Sequence, residues 1–369
     1  IPLSCHDFSA RGMSGKYDQA ISGVAHLTSF IGTDTVLAID AAEEFYNIDE
    51  NNDLIGVSVP ATEHSVMCAG GKDTEIETYR RLIEKLYPTG IVSIVSDTWD
   101  YWKVITEYLP AMKDIIMGRQ YKGLLPGKVV IRPDSGDPVH IIAGYKIFQK
   151  GKYEKGKTIL ENIKLSYNKE KYDNYYEAIR FVINNEDKYF LIETGEEIPE
   201  HIANGSIHCL YETFGGLKTH KNFKQLDPHI GLIYGDSITI QRQEEILSRL
   251  VDKGFASNCI IFGVGSYTYQ MNSRDTLGFA MKATYATING EGHEIFKDPK
   301  TDDGTKKSAK GLCGFFLNED TLKPEFRQGI SIDDECSEKN LLQTVFLNGS
   351  LFNETSLNNI RSIINSEFM

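Results

Sequence analysis

Short β-branched runs that break into Gly, Asp or Ser recur along this chain. They are Gly90–Asp97 (GIVSIVSD), Lys128–Gly136 (KVVIRPDSG), Gly231–Ser237 (GLIYGDS) and Cys259–Ser266 (CIIFGVGS), with a further short run at Gly56–Pro60. Segments with apolar residues at helical spacing follow them, at Asp73–Tyr87, Thr98–Met117 and Thr239–Phe255. The last puts Ile240, Ile246, Leu247, Leu250 and Val251 on one stripe and has Gly254 as its stop. Strand, polar carboxyl-end turn and helix, repeated in that order, predict a parallel α/β fold. About seven candidate strands favour a closed or nearly closed barrel over an open sheet.

The rhythm breaks between Gly151 and Phe223, a stretch rich in Lys, Glu, Asn and Tyr. Its spacing predicts an amphipathic helix around Tyr172–Ile183, then a hairpin from Lys188 to Glu193 onward. We read it as an insertion between barrel elements whose charge makes a solvated surface, with a lid or a partner surface as the alternative.

Composition narrows the function classes. At 369 residues the chain is long enough for a large core and for two domains. The formal net charge is −13, from 39 Lys and Arg against 52 Asp and Glu, which argues against nucleic acid and anionic membrane surfaces as partners. It leaves open an anionic small substrate met by a local basic cluster. No stretch approaches the roughly 20 apolar residues of a membrane span, and no signal peptide is visible, so a cytoplasmic protein is expected. The six cysteines are scattered without a C-x-x-C pair, as expected for free thiols in a reducing compartment, and no zinc-ligand spacing is present. The chain opens with Ile1 and enters a site-like motif almost at once, so a portion of a longer or processed protein is expected.

The candidate chemistry sits where the apolar runs end. In Lys128–Gly136 the strand delivers Arg132, Asp134, Ser135 and Gly136 to a carboxyl-end turn, the edge where α/β folds bind ligands. A guanidinium forks onto phosphate oxygens, and a carboxylate accepts from ribose hydroxyls or holds a divalent cation. The plainer reading is an Arg–Asp pair closing a turn. His64, in SVPATEHS at 58–65, follows the Gly56–Pro60 run and suits general acid–base work or phosphoryl acceptance, or simply a structural hydrogen bond. Asp97, ending the next strand, is placed to orient it. In CHDFSARG (5–12) and GTDT (32–35), Phe8 supplies a flat face, Arg11 a cation and Asp34 an acceptor. Those groups suit an aromatic heterocycle carrying an amide, or else a core phenylalanine beside a surface ion pair. Gly235 with Asp236, and Gly265 with Ser266, are glycine turns that bring backbone N–H groups close to a phosphate. Arg274, Lys282, Lys297, Lys306 and Lys307 form a basic run beside those turns, in a protein that is acidic overall.

Together these segments resemble the nicotinamide phosphoribosyltransferases, within the type II phosphoribosyltransferase family. The resemblance rests on HDFSARG (6–12), GTDT (32–35), SVPATEHS (58–65), VSIVSD (92–97), IRPDSG (131–136), YGDS (234–237), FGVGSYTYQMNSRDTLGFAMKATY (262–285), IFKDP (295–299) and LLQTVFLNGS (341–350). It implies an irregular parallel α/β barrel over residues 1–282, with the insertion at about 151–223. Residues 283–369 then contribute to a second, mostly-β domain. It also implies transfer of phosphoribose from 5-phosphoribosyl-1-pyrophosphate to nicotinamide in NAD salvage. Phe8 then stacks on the base while Arg11, Asp34 and Ser93 hold its amide. Arg132, Asp134, Gly235 and Asp236 take the ribose and its phosphate, and Gly265 and Ser266 the 5′-phosphate. His64, with Asp97 nearby, corresponds to a phosphorylatable histidine that couples ATP as co-substrate. Lys297 and Lys306 fall on pyrophosphate or ATP phosphates, Arg274 and Lys282 on the site of a neighbouring subunit in a homodimer, and Mg²⁺ accompanies the pyrophosphate.

Two departures from the family stand out. The family has a segment before the HDF motif and this sequence opens almost at that motif, so a fragment or half of a split protein is expected, with a complementing chain as an alternative partner. The turn at 263–266 reads GVGS, poorer in glycine than in some members. Two rival readings are therefore kept: nicotinate phosphoribosyltransferase, and an inactive ligand-binding or oligomerising fragment.

Overall fold

In the computed structural model, residues 2–49, 51, 53–123, 125–149, 151–168, 175–271, 281–298, 308–355 and 359 are described. The chain divides into two compact units, Ile1–Met281 with Lys297–Lys307, and Lys282–Phe296 with Ser308–Met369.

The first unit is built on six parallel strands, which we label in chain order β1 (Cys5–Asp7), β2 (Gly32–Thr33), β3 (Val92–Val95), β4 (Val129–Arg132), β5 (Ile230–Tyr234) and β6 (Ile260–Val264). Their spatial order is β2-β1-β6-β5-β4-β3. The two outer strands are not left bare. Val57 bridges to Gly32 of β2, and Ala61 bridges to Ser93 of β3, both parallel. The backbone bonds Thr33 N–H to Val57 O (3.0 Å) and Ser93 N–H to Pro60 O (2.9 Å) hold this segment on both sides. The Gly56–Pro60 run thus closes the sheet into a ring, as the strand count anticipated. It does so by single bridges and not as a full strand, because Pro60 has no N–H to give to a ladder.

Strand burial explains the sequence pattern. All four residues of β3 and all five of β5 are buried, so these runs read as continuous apolar stretches without alternation. The core joins Val92, Ile94, Ile131, Leu232, Ile260 and Phe262 to helix residues such as Leu82, Leu109, Ile246 and Leu250. The expected helix at Thr239–Phe255 is Ile240–Asp252, capped by the Thr239 side chain and followed by Gly254 at φ +76°. Of its stripe, Ile246 and Leu250 are buried, whereas Ile240 and Val251 are exposed. The expected Asp73–Tyr87 helix runs Glu75–Arg80 and continues as a π-helix over Arg81–Leu86. The Thr98–Met117 segment is a series of short α and π turns beginning at Tyr101, with Pro110 interrupting the i→i−4 ladder.

The insertion corrects one expectation outright. Residues Ala178–Ile183 form a strand, not a helix, paired antiparallel with Glu186–Leu191, which pairs in turn with Glu197–Ile198. The turn residues Asn184 and Asn185 both have positive φ, 55° and 67°, which is the geometry of a tight hairpin. Residues 172–174 of the expected helix lie outside the described residues. Nor is the region only a solvated surface, since Ile163, Tyr167, Ile179, Phe181 and Phe190 make a small core of their own.

The second unit is built of antiparallel pairs: Tyr285–Ile288 with Glu291–Glu294, Cys313–Leu317 with Pro324–Gln328, and Phe346–Leu347 with Ser350–Leu351. Two of the turns are Asn-Gly pairs, Asn289–Gly290 and Asn348–Gly349, with positive φ throughout. Among the described residues no helix is long and apolar enough to cross a membrane.

Candidate active site

Because the six strands are parallel, their carboxyl ends share one rim, and a cavity of about 460 Å³ opens there. β1 delivers Phe8, Ser9 and the Ala10–Gly12 turn with Arg11, and β2 delivers Asp34. The bridging segment supplies Ala61, Thr62 and Glu63. β4 supplies Arg132 and Asp134, β5 Gly235, Asp236 and Ser237, and β6 Gly265, Ser266 and Tyr267. Residues separated by more than two hundred positions in the chain meet there because most lie at, or a few residues past, the carboxyl end of a strand.

Phe8 is held by its backbone, whose N–H donates to Val264 O at 2.8 Å. Its ring lies against two glycines. A Cβ at Gly263 would meet Phe8 Cε2 at 2.5 Å, and one at Gly235 would meet its ring at 2.9 Å. Glycine at 235 and 263 is therefore a packing requirement that places the aromatic face on the cavity wall. Asp34 lies across two donors, His6 Nε2 at 3.0 Å and Ser58 Oγ at 2.6 Å, both on Oδ1. Burial pushes the Asp34 carboxyl up, but the His6 and Ser58 bonds and the Arg132 charge outweigh it and hold it below the ordinary carboxylate value. Asp34 is thus an anion at neutral pH. Ser237 has φ +53°, an uncommon conformation for a non-glycine residue, and its carbonyl is held by the Arg242 guanidinium.

His64 begins the helix His64–Ala69, which Glu63 caps by accepting from Ser65 N–H. Its Nδ1 lies 3.1 Å from Thr98 Oγ1, and its Nε2 lies 3.1 Å from Lys297 Nζ. Nε2 is also 3.7 Å from Asp97 Oδ1 and 3.8 Å from Asp134 Oδ2. Asp97 is fully buried, and neither of its oxygens has a hydrogen bond among the described residues. Behind it Glu75 is 1% exposed, and burial, with Asp100 and Asp97 adding to it, pushes its carboxyl up to about 7.

Of the residues singled out from sequence, Phe8, Arg11, Asp34, Arg132, Asp134, Gly235, Asp236, Gly265 and Ser266 line the cavity. His64, Asp97 and Lys297 form a cluster that touches it through Asp134. Ser93 is not on the cavity wall among the described residues; it is buried on β3, where its carbonyl accepts from Thr62 N–H. Lys282 belongs to the second unit. Arg274 and Lys306 lie outside the described residues. Sequence reasoning missed His6, Ser58, Thr98 and Glu75 as contributors. His6 and Ser58 stood inside quoted motifs, and the alternation of a strand, which puts His6 and Phe8 on the same side, was a signal that could have found the first.

The fold and this rim of guanidinium, carboxylate and glycine turns define an α/β-barrel protein with a binding site at its strand carboxyl ends. The family model described as the nicotinate phosphoribosyltransferase (NAPRTase) family matches residues 3–349, and the chain belongs to that family. It is 46% identical, over 98% of its length, to the protein named nicotinamide phosphoribosyltransferase of Acinetobacter baylyi. Proteins of the same name from Mycoplasma pneumoniae and Xanthomonas campestris are 35% and 28% identical over 84% and 98% of the chain. The aligned portions cover 61%, 53% and 62% of these three relatives, so the chain spans less than two thirds of their length.

Proposed function

We propose that this chain carries the site at which phosphoribose passes from 5-phosphoribosyl-1-pyrophosphate to the ring nitrogen of nicotinamide, giving nicotinamide mononucleotide and pyrophosphate. The observation that carries the reading is Asp34, a carboxylate kept ionised on the same wall as the Phe8 ring. An anion there accepts from a carboxamide N–H and repels the carboxylate of nicotinate, which favours nicotinamide although the family model is named for nicotinate. The names of the three relatives point the same way.

In this reading Phe8 stacks on the pyridine ring and Arg11 completes the amide pocket. Arg132, Asp134, Gly235 and Asp236 hold the ribose and its phosphate, with Gly265 and Ser266 on the 5′-phosphate. Breaking the bond from C1 to pyrophosphate builds positive charge on the ribose and negative charge on the leaving group. Asp134 faces the first, and the cations of the site face the second. No residue need act as a nucleophile toward the sugar.

The cavity wall carries the carboxylates Asp34, Glu63, Asp134 and Asp236 against the guanidiniums of Arg11 and Arg132. An excess of carboxylates at a phosphate site fits a divalent cation brought in on the ligand. Mg²⁺ would be held by pyrophosphate oxygens with Asp134 or Asp236, and when bound it neutralises the leaving group's charge. We further propose His64 as the phosphoryl acceptor that couples ATP, with Asp97 and Lys297 beside it. Lys306 joins Lys297 on the phosphates, and Arg274 and Lys282 serve a neighbouring subunit of a homodimer or a complementing chain. Residues 283–369 then supply part of a second domain, and the setting is cytoplasmic.

The test is mononucleotide formation from nicotinamide and 5-phosphoribosyl-1-pyrophosphate with Mg²⁺, with and without ATP, and with nicotinate in parallel. Product from nicotinamide alone is expected, and ATP should raise its yield. Product from nicotinate overturns the base assignment. A folded chain that makes neither product overturns the claim that this chain suffices for transfer, and favours a ligand-binding or oligomerising role.

A further inference from the structure

Asp34 is not simply near His6 and Ser58; both donors converge on one of its two oxygens. His6 Nε2 is 3.0 Å and Ser58 Oγ 2.6 Å from Oδ1, and Oδ2 accepts from none of the described residues. Two donors saturate the lone pairs of Oδ1. A carboxylate has a broad, nearly two-fold χ2, so an untethered Asp34 would share its orientations between either oxygen. The tether removes that freedom and leaves Oδ2 as the open acceptor of a residue that lines the cavity.

The surroundings are built to place the imidazole. On β1 the side chains of Cys5 and Asp7 are buried, and His6 takes the other face. It lies over β2 at Gly32, where an added Cβ would meet His6 Nδ1 at 2.8 Å. The absence of a side chain at position 32 therefore gives the ring the room from which Nε2 reaches Asp34. On its other side the ring centroid is 4.8 Å from that of Phe8. The base platform, the imidazole and the carboxylate are thus one packed unit. The two bonds also favour the anion over a protonated carboxyl, and only the protonated form could donate to a nicotinate carboxylate.

We propose that His6 and Ser58 are positioning residues that set the choice of pyridine base, holding Asp34 by Oδ1 so that Oδ2 meets the carboxamide N–H. This rests on the reading of nicotinamide as the acceptor base. Neither residue contacts the reacting atoms; each acts through Asp34.

The experiment is steady-state kinetics of the full chain with nicotinamide, nicotinate and 5-phosphoribosyl-1-pyrophosphate varied in turn, on Ser58→Ala, His6→Ala, His6→Gln and Gly32→Ala, with melting temperatures alongside. Losing one hydrogen bond to a charged group corresponds to roughly a tenfold effect. Ser58→Ala and His6→Ala are each expected to raise the KM for nicotinamide by about tenfold while kcat and the KM for the phosphoribosyl donor stay within about twofold. The nicotinate-to-nicotinamide ratio of kcat/KM should rise in both. His6→Gln, which keeps a donor, should restore part of the loss, and Gly32→Ala, which displaces the ring, should follow His6→Ala. A KM for nicotinamide unmoved in both alanine variants overturns the proposal. So does a parallel loss for both substrates with a lowered melting temperature, which marks a purely structural role. If the unaltered chain turns over nicotinamide and the variants match it, only the positioning role falls. If the unaltered chain prefers nicotinate or makes neither product, the base assignment falls and this inference with it.

Discussion

Lys297 Nζ lies 3.1 Å from Nε2 of His64, across 233 positions of sequence. An ammonium has three donors and no acceptor, so in this contact the imidazole must accept. Nε2 therefore carries the lone pair, and the ring proton sits on Nδ1, which points to Thr98 Oγ1 at 3.1 Å. The nitrogen left bare is the one that also faces Asp97 and Asp134. Lys297 is itself buried at 6% exposure, so its charge acts at close range with little solvent to screen it.

Replacing Lys297 by Met should move that proton. With the ammonium gone, Nε2 is left facing two carboxylates and becomes the favoured protonated nitrogen. Nitrogen NMR of the histidine ring is expected to show the Nδ1–H tautomer in the parent chain and Nε2–H in the variant. If both proteins show the same tautomer, Lys297 does not set the state of His64.

Asp34→Asn tests the charge at the base pocket directly. The amide keeps the shape and one acceptor but removes the negative charge, so nicotinate loses its repulsion. The kcat/KM for nicotinamide should fall by about ten- to a hundredfold, and the preference over nicotinate should narrow by a similar factor. An unchanged preference would mean that another group reads the amide.

Gly263→Ala should disturb the aromatic platform without touching a charged residue. The new methyl would meet Phe8 Cε2 at 2.5 Å and Gly235 Cα at 2.5 Å, contacts that real Cβ atoms do not make. Either the ring or the β5–β6 spacing must give, at about 1–3 kcal/mol for an overpacked site. A lowered melting temperature and a raised KM for the base are expected. Normal values of both would show that Phe8 moves aside freely and is not held as a platform.

Glu75 makes stability depend on pH in a direction that can be worked out. Its carboxyl is pushed from an ordinary 4.5 up to about 7, chiefly by burial, then by Asp100 and Asp97 against the nearby Lys103 and Lys72. Between those two values the folded chain keeps a proton that the unfolded chain has released. Stability therefore falls as pH rises from about 4.5 to about 7, by an amount on the order of 3 kcal/mol. Glu75→Gln should abolish that slope. Urea midpoints at pH 5 and pH 8 would show it: the parent is expected to lose stability at pH 8 relative to the variant, and equal pH profiles would place the titration elsewhere.

Much of the site was legible because the fold is parallel. A run such as Val129–Ile131 is buried throughout and so reads as apolar, and the residues after such a run emerge at the ligand-binding rim. The same logic placed Asp134, Gly235 and Gly265 at that rim. It failed where a short apolar run fits two periods. Ala178–Ile183 has helical spacing as well as strand composition, and the Asn184–Asn185 turn with its partner strand Glu186–Leu191 decided the matter. It also failed for Ile240 and Val251, since the width of the buried stripe depends on what packs against the helix.

The sequence by itself determined four of the six parallel strands, β3 to β6, and which residues stand at their carboxyl ends, since periodicity and turn chemistry are local. Tertiary structure alone decided that the Val57 and Ala61 bridges close the ring, that His6 and Ser58 share one oxygen of Asp34, and that Lys297 reaches His64. These pairings join residues 24 to 233 positions apart. Such contacts depend on ring closure and on the absence of a side chain at Gly32, and neither leaves a mark in the local pattern of apolar and polar positions.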